Sequence, residues 1–137
     1  MKAFSIRPVM KLDAAITGVT GLLMLVAAAP LGDLLDLPTA LLAVAGAVLI
    51  PYVACLLWLA TRAEVPRTGV LAVIALNVAW GLGCVALLVS GQVEPNALGM
   101  AFVLVQAVAV LVFADLQALA LRGNTTTRAR ERLSLEV

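Results

Sequence analysis

The chain carries eight acidic and nine basic side chains and no His, and one of the acids stands where a charge is expensive. In LVFADLQALALRG, Asp115 lies among aliphatic residues, seven positions before Arg122. A carboxylate inside an apolar run marks function by default, as a titratable group or as half of an ion pair. Its position near a helix C-terminus is one the helix dipole disfavours. Asp115 is therefore expected to face a helix bundle and to meet Lys11, Arg62 or Arg67, which enter from neighbouring helices at a similar level. A proton- or cation-coupled site and a subunit contact are the other readings. Asp13, by contrast, is expected in the first turn of its helix, at the interface, where the dipole suits it. Thr17 and Thr20 follow on roughly the same face, and their hydroxyls can bond back to their own helix carbonyls. Asp13, Asp115, Lys11, Arg62 and Arg67 form one candidate charge cluster.

A second candidate site is uncharged. Asn77 and Trp80, three residues apart, fall near mid-depth of an apolar run, and buried amide and indole groups require partners. Counting outward from the turn at 91–96 places Asn77 opposite residue 110, about one helical turn from Gln106. An interhelical hydrogen bond, worth about 0.6 kcal/mol on average, or a polar pocket holding a ligand would satisfy them. Tyr52 adds a hydroxyl beside Pro51, a proline in mid-run that reads as a hinge, a cavity wall or a static bend. Ala75, Ala79 and Gly83 recur every four residues, a small-residue stripe that lets another helix approach closely. Gln117, on a different face from Asp115, is assigned to an interface, and Trp58, one turn from Arg62, to an aromatic belt.

Other chemistry is excluded. With no His, haem ligation by imidazole, an imidazole relay and a His metal site are absent. No phosphate-binding glycine loop or nucleophile elbow occurs. Cys55 and Cys84 differ in depth by roughly 15 Å when counted from the charged ends of their helices, too far for a disulfide. They read as small packing residues. No cofactor, metal or nucleic-acid partner is expected, and no enzymatic activity: an enzyme acting on lipids would need two convergent reactive groups, and only Asp13 with Asp115 is on offer.

The elements that must position these residues follow from composition. The 137 residues are 64% hydrophobic and 12% charged, where soluble domains carry about 25% charged residues. A hydrocarbon core of about 30 Å takes roughly 20 apolar residues per helix. Four such runs are read, at about 12–31, 38–61, 68–90 and 97–121, giving an all-α, polytopic four-helix transmembrane bundle in residues 1–122. Lys2, Arg7 and Lys11 precede the first run, Arg62 and Arg67 flank the second connector, and Arg122, Arg128, Arg130 and Arg132 follow the fourth. The other connectors carry only Asp33, Asp36 and Glu94, so the positive-inside rule puts both termini in the cytoplasm. The basic start and the Ala27-Ala28-Ala29 triplet also resemble a signal peptide; an uncleaved helix is the reading preferred. LGDLLDLP, with Leu31, Leu34, Leu35 and Leu37, forms an amphipathic turn in the outer interface. Gly123 is expected to stop the fourth helix, leaving 123–137 as a basic, disordered or headgroup-bound tail. Asn124-Thr125-Thr126 fits a glycosylation pattern that a cytoplasmic site cannot use. Leu135-Glu136-Val137 match the start of the protease tag LEVLFQ. A shift of 60 residues lays Ala54, Leu56, Leu59, Ala60 and Arg62 over Ala114, Leu116, Leu119, Ala120 and Arg122, which suggests two repeated helical hairpins. Seven Arg against two Lys, with Ala, Leu and Val dominant, fits a GC-rich bacterial genome.

The AAAPLGDLLDLP connector, LNVAWGLG in the third run and FADLQALALRG in the fourth resemble a set of uncharacterised small bacterial four-span membrane proteins. The resemblance implies the fold and no activity. Small multidrug exporters and fluoride channels are of similar length. The former are expected to carry an embedded Glu in the first helix and the latter a glycine-rich break followed by Arg, and neither is found. The expectation is an inner-membrane module that packs on itself or a partner protein and holds a lipid or small apolar ligand near Asn77, Trp80, Gln106 and Tyr52. The alternative is an oligomeric transporter or channel using Asp115.

Overall fold

The computed structural model describes residues 5–136, the side chains of 124–127 excepted. It is all-helical, with α1 Ile6–Val26, α2 Ala28–Leu35, α3 Thr39–Thr61, α4 Arg67–Val89 and α5 Ala97–Glu136. All but α2 are long and apolar enough to cross a membrane. The ends of α3 and α4 fall within a residue of the sequence reading, because Pro38 and Pro66 stand at their N-cap positions and proline is suited to the edge of a first turn.

The first run is divided differently from expectation. α1 begins at Ile6 rather than near residue 12, with Pro8 tolerated in its first turn. It stops at Val26 rather than near 31, because Pro30 has no N–H to give the Val26 carbonyl and its ring crowds that oxygen. The chain leaves helical geometry at Ala27 and restarts as α2, so the amphipathic connector is a short helix. Asp36 ends it in the left-handed region at φ 54° and ψ 46°. Asn96 then locks α5 onto it. Its N–H and amide donate to the Leu35 and Leu34 carbonyls at 3.2 and 2.8 Å, and its Oδ1 caps the Gly99 N–H at 2.8 Å.

The last element also departs from expectation. Gly123 does not stop the helix: α5 runs on to Glu136, so the tail is helical as far as the structure describes it. A glycine inside a helix costs only about 1 kcal/mol, and the Arg- and Glu-containing segment beyond it favours helix. Lys2 and Val137 lie outside the described residues.

Packing divides the helices into two close pairs, α1 with α3 and α4 with α5, while the backbones of α3 and α4 stay apart and these helices meet through side chains, as where Leu59 lies against Gly69. The α1–α3 contact is closest where glycines face each other. A Cβ at Gly46 would lie 2.7 Å from the Gly21 carbonyl oxygen and 2.7 Å from the Leu25 nitrogen. Two apolar cores result. One joins Ile6, Met10, Leu56, Leu59, Val70 and Ala120 at the end carrying Arg7 and Arg62; the other joins Met24, Leu35, Leu42, Leu49 and Val103 at the α2 end.

Gly46→Ala must part α1 from α3 and should destabilise by about 1–3 kcal/mol. Gly83→Ala, whose Cβ would meet nothing within 4 Å, should be neutral. Thermal unfolding of the two variants in one detergent checks the contrast.

Candidate functional site

Between the two apolar cores lies a polar layer centred on Asp13. Because α1 starts at Ile6, Asp13 is two turns inside its helix, and it is 0% exposed. The interfacial, dipole-favoured position expected for it is therefore corrected. Four donors converge on its carboxylate. Thr17, one turn along α1, gives its hydroxyl to Oδ1 at 2.9 Å. Oδ2 is reached by Tyr52 Oη from α3 at 3.1 Å, Asn77 Nδ2 from α4 at 3.1 Å and Gln117 Nε2 from α5 at 2.8 Å. The donors also bond one another: Asn77 Nδ2 donates to Gln117 Oε1 at 3.1 Å, and Tyr52 Oη lies 2.9 Å from Asn77 Oδ1. All four long helices thus contribute a side chain, and among the described residues no buried side-chain polar atom lacks a partner. Thr20 instead bonds back to the Ile16 carbonyl at 2.8 Å.

The expected charge cluster does not assemble. Asp115 is exposed on α5, because the face of α5 turned inward is the one carrying Phe113, Gln117 and Ala120, all buried. Gln117, assigned to an interface by its sequence position, is 0% exposed and belongs to the centre. Lys11, Arg62 and Arg67 are exposed. The Arg62 guanidinium lies 4.9 Å from the Trp58 ring centroid, and its carbonyl and that of Ala63 accept from Arg7 Nη2. No cation hydrogen bonds to Asp13 among the described residues.

The amide pairing meets expectation for Trp80 and departs from it for Asn77. Gln106 takes the Trp80 indole, Nε1 to Oε1 at 3.3 Å, and reaches Met24 Sδ at 3.9 Å, whereas Asn77 turns towards Gln117. Gln117 is seven residues beyond Val110 on the same face of α5, two turns further along than turn-counting places the partner of Asn77. Tyr52, expected near Asn77, bonds to it and to Asp13 in the polar layer. The sequence signal for Gln117 and Tyr52 is a carboxylate eight positions into a helix, and it is legible only with α1 starting at Ile6 and not near residue 12.

Where α3 and α4 stand apart, a lateral cleft opens beside this layer. It holds a cavity of about 330 Å³ lined by Thr17, Val48, Pro51, Tyr52, Cys55 and Asn77 among others. A second, of about 390 Å³, is lined by residues including Leu41, Ala45, Ala79, Gly83, Cys84 and Phe102. Leu76 and Trp80 border both. Pro51 is thus a wall of the cleft, within an otherwise continuous α3. Ala75, Ala79 and Gly83 are exposed, and instead of packing a helix Ala79 and Gly83 of the stripe line the cleft. Both cysteines are free thiols.

Comparison with protein-family models, curated proteins and solved structures finds no match to this chain.

Gln117→Leu removes a donor from a buried carboxylate and should destabilise by about 1–3 kcal/mol. Asp115→Asn should change stability by less than about 0.5 kcal/mol. Paired thermal melts in one detergent distinguish them.

Proposed function

We propose that the protein is a multi-pass inner-membrane protein, with both termini cytoplasmic, that holds a lipid acyl chain in the cleft between α3 and α4 and performs no reaction on it. The membrane setting is supported by four long apolar helices whose outer faces carry exposed aliphatic side chains such as Val19, Val44, Leu82 and Val105, more apolar surface than a soluble monomer leaves open. The orientation rests on the basic residues at the termini and in the 62–67 connector.

The observation that carries the ligand reading is the cleft. Its two cavities fall in the range of small-molecule sites, about 300–1,000 Å³. The α3 positions along it run from Leu41 to Cys55, roughly 20 Å at 1.5 Å per residue, which exceeds half of a hydrocarbon core of about 30 Å. A slot that is long, apolar and open to the side suits a flexible chain. Ala45, Ala79 and Gly83 leave width for it. The polar groups at its floor are engaged with one another, so they set the end of the slot rather than attack what enters it. An oligomeric transporter working through Asp115 gains little from this geometry, since that carboxylate is outside the polar layer.

Trp80 borders both cavities and is one of two tryptophans, so Trp58→Phe leaves it as the sole reporter. In vesicles of phosphatidylcholine brominated along the acyl chains, its fluorescence should be strongly quenched relative to unbrominated lipid. Ala79→Phe, which fills the cleft, should relieve most of that quenching. Equal quenching with and without the filling substitution would contradict the reading, as would a Trp80 shielded from brominated lipid by a second copy of the chain.

A further inference from the structure

We propose that the Asp13 layer is a binding site for one alkali-metal cation of sodium size, a role separate from whatever occupies the cleft. The first support is the chemistry of the atoms gathered there. Asp13 Oδ1 and Oδ2, Thr17 Oγ1, Tyr52 Oη and Asn77 Oδ1 form a chain through oxygen–oxygen contacts of 2.9–3.1 Å, and Gln117 Oε1 joins it through the Asn77 amide nitrogen at 3.1 Å. Hard cations take shells of about six or more oxygens drawn from carboxylates, amide carbonyls and similar groups. Six oxygens from five side chains on four helices complete such a shell once the Asn77 and Gln117 amides, whose nitrogens now face Asp13, turn their carbonyls to it, whereas holding a proton needs only two.

Charge balance sets the valence. Asp13 is the single carboxylate in the layer, and it is fully buried. Among the described residues no three His, Cys, Asp or Glu side chains converge, which leaves no set of anions for a divalent or transition metal. One monovalent cation cancels one carboxylate in a medium where a net charge is costly; a divalent ion would leave a buried positive charge.

Proton counting points to the same place. The Tyr52 hydroxyl has one proton, yet two acceptor oxygens face it, Asp13 Oδ2 at 3.1 Å and Asn77 Oδ1 at 2.9 Å. The layer is one proton or one cation short at that point, and dependence on sodium or on pH tells the two apart. Asn77 and Gln117 can adapt, since each now turns its amide nitrogen to the carboxylate and a half-turn offers the carbonyl oxygen instead. The cavity of about 330 Å³ bordered by Thr17, Tyr52 and Asn77 gives a way in.

The test is thermal unfolding of the full chain in detergent, with sodium chloride replacing N-methylglucamine chloride at constant ionic strength. Wild type and Asp115→Asn should gain a few degrees in Tm, saturating with sodium, since binding to the folded state alone stabilises it. Asp13→Asn should show no gain. Thr17→Ala, which keeps the carboxylate and loses one oxygen, should need about tenfold more sodium for the same gain, and this variant decides the matter if Asp13→Asn does not fold. A wild-type Tm that ignores sodium, or a gain that survives in Asp13→Asn, overturns the proposal. A Tm that follows pH and not sodium also overturns it, making the layer a proton site.

Discussion

The structure depends on a buried carboxylate that cannot be left alone. Asp13 sits at 0% exposure between two apolar cores, where an unpaired charge would cost several kcal/mol. It is tolerated because Thr17, Tyr52, Asn77 and Gln117 bring donors to it from α1, α3, α4 and α5. Apolar contacts specify register poorly in a bilayer, where lipid competes as an equally good apolar neighbour. A carboxylate that must be met by three other helices specifies it well. Sliding or rotating any one of them by a turn would strand its donor and weaken the remainder.

The same requirement accounts for the cleft. α1 packs tightly on α3 through Gly21 and Gly46, and α4 packs on α5. The two pairs are then joined by α1 with α5, by the polar layer and by the apolar core where Leu56 and Leu59 meet Val70, and beyond these, towards the α2 end, nothing draws α3 and α4 together. Tyr52 and Asn77 bridge the gap at one level. Beyond it the helices diverge around Leu76 and Trp80, with Ala45, Ala79 and Gly83 too small to close the space. Fixing the bundle at one layer leaves room beside it, and the site and its scaffold are in this sense one arrangement.

Composition and apolar run length made the helical class legible, and proline punctuation placed the bounds of α3 and α4. The course of the first run was not legible from length alone. The residues before 12 look too charged to belong to a span, yet Arg7 has the exposed Arg62 and Ala63 carbonyls to bond, so helix is sustained from Ile6. That shift of six residues carried Asp13 from the interface to the centre. Asp115 drew attention because its local setting is unfavourable, but a helix face is chosen by all its residues together, and Phe113, Gln117 and Ala120 outweigh it. Asn77 and Tyr52 are recognisable as groups needing partners; which partners depends on the register of α5 against α4, where Asn77 meets Gln117 and not a residue near 110, and counting from the turn does not give that. Gly123 was read as a stop because glycine often ends helices, although one glycine rarely outweighs favourable neighbours on both sides.

If the polar layer holds the bundle together, Asp13 and Gln117, 104 apart in sequence, act energetically as one unit. A double-mutant cycle of Asp13→Leu and Gln117→Leu, read from reversible unfolding in a single detergent, measures this directly. The double variant should lose less stability than the sum of the single losses, by about 1 kcal/mol or more. Losses that add to within about 0.5 kcal/mol would contradict it.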